Sequence, residues 1–328
     1  MTDQELFDKI FKFPDLITSP PVLLDIGASG NLHNNWQSIA RYAICIAFDA
    51  DDREMDFIND KAKNFRQLHI VNKIVSDKNI ETADFYLTSS PYCSSLLQPD
   101  SECLADWYFG DNFNIEKKIS LPAISLQKAL ADLAIDYVDW FKSDSQGLDL
   151  KLFKNIEQKQ YNAIIADFEP GFIDAYRGED KIKDLLDYMD TMPFWLCAFA
   201  VGGNKRMNIS KLTPTFSSTE IDRIRYTTSD AAIFSEVTYI NNFKQPQLQT
   251  ERYYLLGCVF SLILKQYGFA AELAIHGLNL TGNSLFSEIL DYIKQVSRKP
   301  TIAMLIANPA LLKKKILNRM IYRLQNLL

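Results

Sequence analysis

The chain has 328 residues, of which 47% are hydrophobic and 23% charged, so it can bury a large core and is long enough for two domains. Its formal net charge of -6 argues against a protein built mainly to neutralise phosphates, and nucleic acid is not an expected partner. Cys45, Cys93, Cys103, Cys197 and Cys258 are odd in number, lie far apart and form no CxxC pair, which suggests neither a disulfide framework nor a cysteine zinc site and fits a reducing compartment.

The opening stretch "MTDQELFDKIFKFPDL" is acidic and amphipathic, which argues against a cleaved secretion signal and makes the cytoplasm the expected location. Residues 1–19 read as a helix and lead-in. Pro20-Pro21 breaks the backbone and "VLLDIG" follows, an unalternated apolar run of the kind that forms a strand covered on both faces. Similar runs recur at 43–50, 137–144, 163–169 and 194–201. Helical stretches separate most of them, namely "SLQKALADL", "LDLKLFKNI" and "EDKIKDLLDYMDTM". Alternating strands and helices predict an α/β fold over residues 20–245, a Rossmann-like, doubly wound, mainly parallel sheet. "TTSDAAIFSEVTYI" at 227–240 is expected as a late strand, reversed at the sheet edge. From 246 the pattern is helical only, so residues 246–328 are expected to form a C-terminal helical appendix, with a boundary in "NNFKQPQLQT". The apolar run "YYLLGCVFSLIL" is much shorter than the roughly 20 residues that span a bilayer and reads as a buried helix.

Chemistry concentrates where strands end. In an open α/β sheet, ligands bind at the carboxyl ends of strands where connections diverge. "LLDIGASGNLHNNW", residues 23–36, places Asp25 at such an end, followed by a turn of Gly27, Ala28, Ser29 and Gly30. Glycines let a ligand approach the backbone, and a helix starting just beyond presents free N–H groups. The GxxG spacing departs from GxGxxG, which disfavours nicotinamide cofactors. Asp49, in "FDAD" at the end of the second run, lies about 20 residues beyond the turn, where a carboxylate can accept both hydroxyls of a ribose. The expected ligand contains a nucleoside.

"YVDWFKSDSQGLDLKLFKNI" resembles the KxDxQGxExxxL block of the FkbM family of S-adenosylmethionine-dependent methyltransferases. Lys142, Asp144, Gln146, Gly147 and Asp149 match in order, with Asp149 in place of the usual Glu. Other blocks are similar in the same order: "LLDIGASGNLHNNW", "IAFDADDRE" with Asp49 for Glu, "FYLTSSPYCSSLLQPD", "DFEPGFIDAYRGEDKIKDLLDYM" and "SDAAIF", together covering roughly residues 20–240. The resemblance implies a class I methyltransferase type of fold and S-adenosylmethionine as cofactor. It implies a binding set of Asp25, Gly27, Ala28, Ser29, Gly30, Asp49, Ala50, Ser76, Asp77 and Asp144. The implied reaction is methylation of a hydroxyl on a sugar, a glycan precursor or a small metabolite.

A sulfonium methyl is already activated, so the protein has to hold an acceptor in line with it and remove a proton. Asp144, at the tip of the 137–144 run, is the first candidate for orienting the acceptor or acting as base, and Glu169, at the next tip, the second. His33, in the first loop, is a third catalytic candidate. Competing structural roles are a helix cap for Asp144 and an ion pair for Lys142. His69 and His276 have no metal-ligand spacing, and no metal is expected. Trp107, Tyr108 and Phe109 in "DWYFGDNF" can stack on a sugar or cover a core edge. Arg206 can hold an anionic acceptor or sit in a solvated turn.

Two other functional classes fit parts of the sequence. "ADFYLTSSPY" partly resembles the Asp/Asn-Pro-Pro-Tyr motif of amino-group methyltransferases acting on nucleic acids, although the Asp/Asn is missing and there is only one Pro. A non-catalytic module that recruits partners through its C-terminal helices is the other. "PALLKKKILNRMIYRLQNLL", 309–328, carries Lys313, Lys314, Lys315, Arg319 and Arg323 and no acids; it can pack on the helical region or make peripheral contact with an anionic membrane.

Overall fold

The structure, a computed structural model, describes residues 1–27, 32–48, 64–156 and 162–298. Ten strands occur among these residues: β1 (Val22–Ile26), β2 (Ile44–Phe48), β3 (Gln67–Val71), β4 (Ile74–Ser76), β5 (Thr82–Thr88), β6 (Ile115–Ser125), β7 (Trp140–Ser143), β8 (Ile165–Phe168), β9 (Phe194–Asn204) and β10 (Ala231–Asn241). Seven form the main sheet in the order β3-β2-β1-β7-β8-β10-β9, and the other three form a small sheet in the order β4-β6-β5. In the main sheet β3, β2, β1, β7 and β8 are parallel, whereas β10 runs antiparallel to both β8 and β9. The expected α/β fold with a mainly parallel sheet is therefore present.

The late strand is reversed as expected, but it does not lie at the edge. β10 sits between β8 and β9, and β9 takes the edge. Burial gives the reason. Val237, Tyr239, Ile240 and Asn241 of β10 are buried, while Leu196, Phe199 and Val201 of the more apolar β9 are exposed. The small sheet was not anticipated, because β6 is mostly exposed and begins "IEKK", offering no apolar run to read.

Alternate residues of the strands face opposite layers, as a period of two requires. Val22, Leu24, Ile46, Phe141 and Phe168 pack toward the helices Leu126–Asp132, Asp149–Asn155 and Ile182–Met189. Leu23, Cys45, Ala47, Trp140 and Ile165 pack toward the first helix, Asp3–Ile10, and toward the helices Glu251–Ile263, Tyr267–Thr281 and Ser284–Ser297. The C-terminal helices are thus one of the three layers rather than an appendix, and one apolar cluster runs from Leu6 through the sheet to Phe286. Helix Glu251–Ile263 is buried continuously from Tyr254 to Leu262, as its apolar run requires. Among the described residues no helix is long and apolar enough to cross a membrane. The basic stretch 309–328 lies outside the described residues.

A buried ion pair fastens this layer to the sheet. Arg252 forms a two-pronged pair with Asp139, Nη1 to Oδ1 at 2.9 Å and Nη2 to Oδ2 at 2.7 Å, and its Nε donates to the Ser19 carbonyl at 2.9 Å. Asp139 Oδ2 also accepts from the Val22 N–H at 2.9 Å. The guanidinium lies 4.8 Å from the Tyr137 ring centroid and 5.1 Å from that of Tyr253. One arginine so joins the last layer, the N-terminal lead-in and the strand that carries Asp144. Arg252→Met is expected to cost about 3–5 kcal/mol of stability by stranding the buried Asp139 carboxylate, read as a lowered urea midpoint. Asp139→Asn combined with Arg252→Met is expected to recover part of that loss.

Candidate functional site

A cavity of about 490 Å³ opens at the carboxyl ends of the parallel strands. Its floor is made by Ile26 and Gly27 after β1, Phe48 at the end of β2, the turn Asp144–Leu148 after β7, and Glu169 after β8. Ile74, Val75 and Phe85 of the small sheet close one side, and Phe109, Phe113 and Tyr176 cover another.

The tips of β1 and β7 touch. The Asp144 N–H donates to the Ile26 carbonyl at 2.9 Å, and Gly27, at φ +77°, lies so near that a Cβ there would be 2.1 Å from the Asp144 carbonyl oxygen. Only glycine fits. Behind this contact Lys142 Nζ lies 2.8 Å from the wholly buried Asp25 Oδ1. Burial alone would push the Lys142 ammonium down, but the Asp25 and Asp144 carboxylates outweigh it and hold the ammonium above its ordinary range.

The turn after β7 is shaped by Asp149, the first residue of helix Asp149–Asn155. Its Oδ1 accepts from the Ser143 hydroxyl at 2.7 Å, the Ser145 hydroxyl at 2.5 Å and the Ser145 N–H at 2.8 Å, while Oδ2 accepts from the Glu169 N–H at 2.9 Å. Burial pushes the Asp149 carboxyl up against the effect of these hydrogen bonds. This one side chain locks the tip of β7 to the tip of β8 and sets Asp144 beside Glu169. Gln146, at φ 55°, donates from Nε2 to Asp144 Oδ1 at 2.6 Å. The Tyr176 hydroxyl lies 2.9 Å from both Gln146 Oε1 and the Cys93 carbonyl, so it backs the Gln146 amide. Gly147 passes so close to Glu179 that a Cβ would be 2.8 Å from the Glu179 Cβ.

Glu169 is the most perturbed acid facing the cavity. Burial first, and then the Asp144 carboxylate to which it is hydrogen bonded, push its carboxyl up to about 9. Glu169 is therefore a neutral acid near pH 7. Burial also pushes Glu179 up to about 7, against the Tyr176 and Ala175 N–H groups that it accepts. The cavity thus holds a pair of neighbouring carboxyl groups, Asp144 and Glu169, and a fixed amide on one wall, and an apolar surface on the other.

Several expected residues meet here. Gly27, Asp144 and Glu169 line the cavity, and Asp25 supports it through Lys142. Ser76 is buried and Asp77 offers its carbonyl to Asn155 Nδ2 at 3.1 Å; neither lines the cavity, although Lys73, Ile74 and Val75 just before them do. His33 is elsewhere. It lies on the other face of the sheet, 5.6 Å from the Trp36 ring and 6.0 Å from the Trp140 ring, with Nε2 3.9 Å from Asp167. Ala28, Ser29, Gly30, Asp49 and Ala50 lie outside the described residues. Of the aromatic loop, Phe109 lines the cavity, Trp107 is buried and Tyr108 faces a neighbouring cavity. Arg206 is engaged by Asp106 at 2.5 Å on the surface. Phe113, Glu179 and the hydrogen bonds of Asp149 complete the site with no signal in the sequence spacing. Among the described residues no group of three or more His, Cys, Asp or Glu is placed to hold a metal ion.

The chain matches no family model, no curated protein and no solved structure.

The Glu169 shift fixes a sign for stability against pH. The folded state keeps a proton up to about pH 9 that an unfolded glutamate, with an ordinary value of 4.5, has already released. The unfolded chain therefore binds fewer protons across this window, so this group's contribution falls as pH rises through it. Glu169→Gln is expected to remove that loss, making the variant more stable than the parent at pH 8 by on the order of 1–3 kcal/mol and nearly equal at pH 5. Urea titrations at the two pH values check it; equal midpoints at pH 8 would count against a protonated Glu169.

Proposed function

We propose that the chain is an S-adenosylmethionine-dependent methyltransferase that methylates a hydroxyl on a sugar, a glycan precursor or a small metabolite. The observation that carries this reading is the sheet order, with the reversed β10 inserted between β8 and the edge strand β9, the order expected of a class I methyltransferase, together with a cavity at the switch between β1 and β7. The motif resemblance to the FkbM family points the same way.

The residues present suit such a cofactor. Phe48, Ile74 and Val75 offer an apolar slot for a flat base. The bound cofactor supplies an activated methyl group. The chain's part is to orient the acceptor and to manage its proton. An alcohol is a poor nucleophile near neutral pH. Glu169, held neutral, hydrogen bonds to Asp144 and orients it, and Asp144 is the partner able to take the acceptor's proton. Gln146 holds the Asp144 carboxylate by one oxygen, and Tyr176 holds Gln146. The apolar side of the cavity keeps water from competing for the same position.

These roles separate two near-isosteric variants. Asp144→Asn removes the proton acceptor and is expected to lower kcat by about 10²–10⁴. Glu169→Gln exchanges one neutral hydrogen-bonding group for another and is expected to keep kcat within roughly tenfold, less than ~1.4 kcal/mol of barrier. Both are expected to bind S-adenosylhomocysteine within a few fold of the parent by calorimetry. The reading as a whole is tested by that binding and by transfer of labelled methyl into a cell extract separated into lipid, glycan and nucleic-acid pools. Absence of cofactor binding, or label confined to nucleic acid, would overturn it.

A further inference from the structure

β9 and β10 run past the tip of β8. Phe168, the last residue of β8, pairs with Val237, and β10 continues from there to Ala231 along β9, with the segment after β8 still bonded to it through Ser235 N–H to the Pro170 carbonyl at 3.0 Å and Phe172 N–H to the Ile233 carbonyl at 2.7 Å. This overhang walls the cavity on the Glu169 side with Gly203, Asn204, Ile233 and Phe234. Against Gly203 and Asn204 of this wall lies a second, shallow and open cavity of about 390 Å³. It shares Gly203 and Asn204 with the first, and Tyr108, Lys205, Arg225, Tyr226 and Asp230 complete its lining.

The chemistry of this second cavity is specific. The Arg225 guanidinium lies 5.0 Å from the Tyr108 ring centroid and 4.8 Å from that of Tyr226, and it donates to the Tyr108 hydroxyl. The Tyr108 N–H is tied to the Lys205 carbonyl at 3.0 Å, which anchors the stack to the end of β9. The charges cancel in pairs, Lys205 with Asp230 at 2.6 Å and Arg225 with Asp222 at 3.3 Å. A phosphate or carboxylate would meet little net positive field there. A sugar finds what it needs: flat aromatic faces for its C–H side, and both donors and acceptors for its hydroxyls.

We infer that the second cavity is a subsite for the neighbouring unit of an oligosaccharide acceptor, whose reacting unit lies beside Asp144 and Glu169. The inference rests on the methyl-transfer reading above and narrows its acceptor to an extended, uncharged glycan. A monosaccharide or a small metabolite would leave the Tyr108–Arg225–Tyr226 stack unused.

The test is a set of titrations into the full chain, with and without S-adenosylhomocysteine. The probes are glucose, galactose, mannose and N-acetylglucosamine, each compared with its 1,4-linked di- and trisaccharides. At least one extended sugar is expected to bind about tenfold more tightly than its monosaccharide, the gain of one or two stacked contacts. Tyr226→Ala and Arg225→Ala are each expected to abolish most of that ratio and leave monosaccharide affinity unchanged. Tyr226 is 79% exposed, so its replacement probes the stack without disturbing the fold. No advantage for any extended sugar, or an advantage that survives both substitutions, would overturn the subsite. Binding of S-adenosylhomocysteine in the same titrations judges the methyl-transfer reading separately: extended-sugar binding without it would keep the subsite and remove the reaction.

Discussion

A single buried carboxylate holds the site together. Asp149 takes three hydrogen bonds from Ser143 and Ser145 and a fourth from the Glu169 backbone, so the tips of two neighbouring strands share one anchor. Removing a carboxylate from water is costly unless its lone pairs are filled, and here four donors fill them. The turn that carries Asp144 has little freedom to move as a result, and the spacing of Asp144 and Glu169 follows from it. Burial is the first cause of the proton that Glu169 favours, and that spacing adds to it, because two acids set side by side in a partly apolar pocket oppose each other's ionisation.

The interior resolves each of its buried acids differently. Asp139 meets a two-pronged arginine, Asp25 a lysine, and Asp149 hydroxyls and N–H groups, while Asp167 accepts from the Trp140 indole at 2.6 Å and the Thr238 hydroxyl at 2.5 Å. Glu169 is the exception, since a second acid is its partner. Burial without a cation stabilises the neutral form.

The sequence carried the frame and the strand tips more clearly than the site around them. Unalternated runs with an acid at or near their end, "VLLDIG", "WFKSD" and "IIADFE", marked β1, β7 and β8 and with them Asp25, Asp144 and Glu169, because a strand covered on both faces leaves an apolar trace whatever its neighbours are. β6 left no such trace, being mostly exposed and charged over "IEKK". Strand order was hidden for a similar reason: β9 is the more apolar of the last two strands, yet it is the edge. His33 was placed by loop direction, which decides a face of the sheet and is not encoded in spacing. The Asp149 clamp and the Tyr176–Gln146–Asp144 chain join residues 20 to 30 positions apart, and hydrogen bonds at that separation follow only from the folded backbone.

The closing of the sheet by its last helices bears on how the chain reaches its fold during synthesis. One face of the sheet is covered by the first helix together with the helices between Glu251 and Ser297, and the two ends meet through Lys9 with Glu288 and Asp3 with Tyr292. A ribosome that has released the chain only through Asn241 has made every described strand of the sheet but leaves the face of Leu23, Cys45, Trp140 and Ile165 only partly covered, by the first helix and its neighbours. Until Arg252 arrives, Asp139 has no cation. The nascent sheet is therefore sticky on one side and charged at its root, a state that invites chaperone binding or premature association. Its contacts are among the most distant in the chain, so they form late and slowly. The speed at which the ribosome delivers the segment from 246 to 297 sets how long that state lasts.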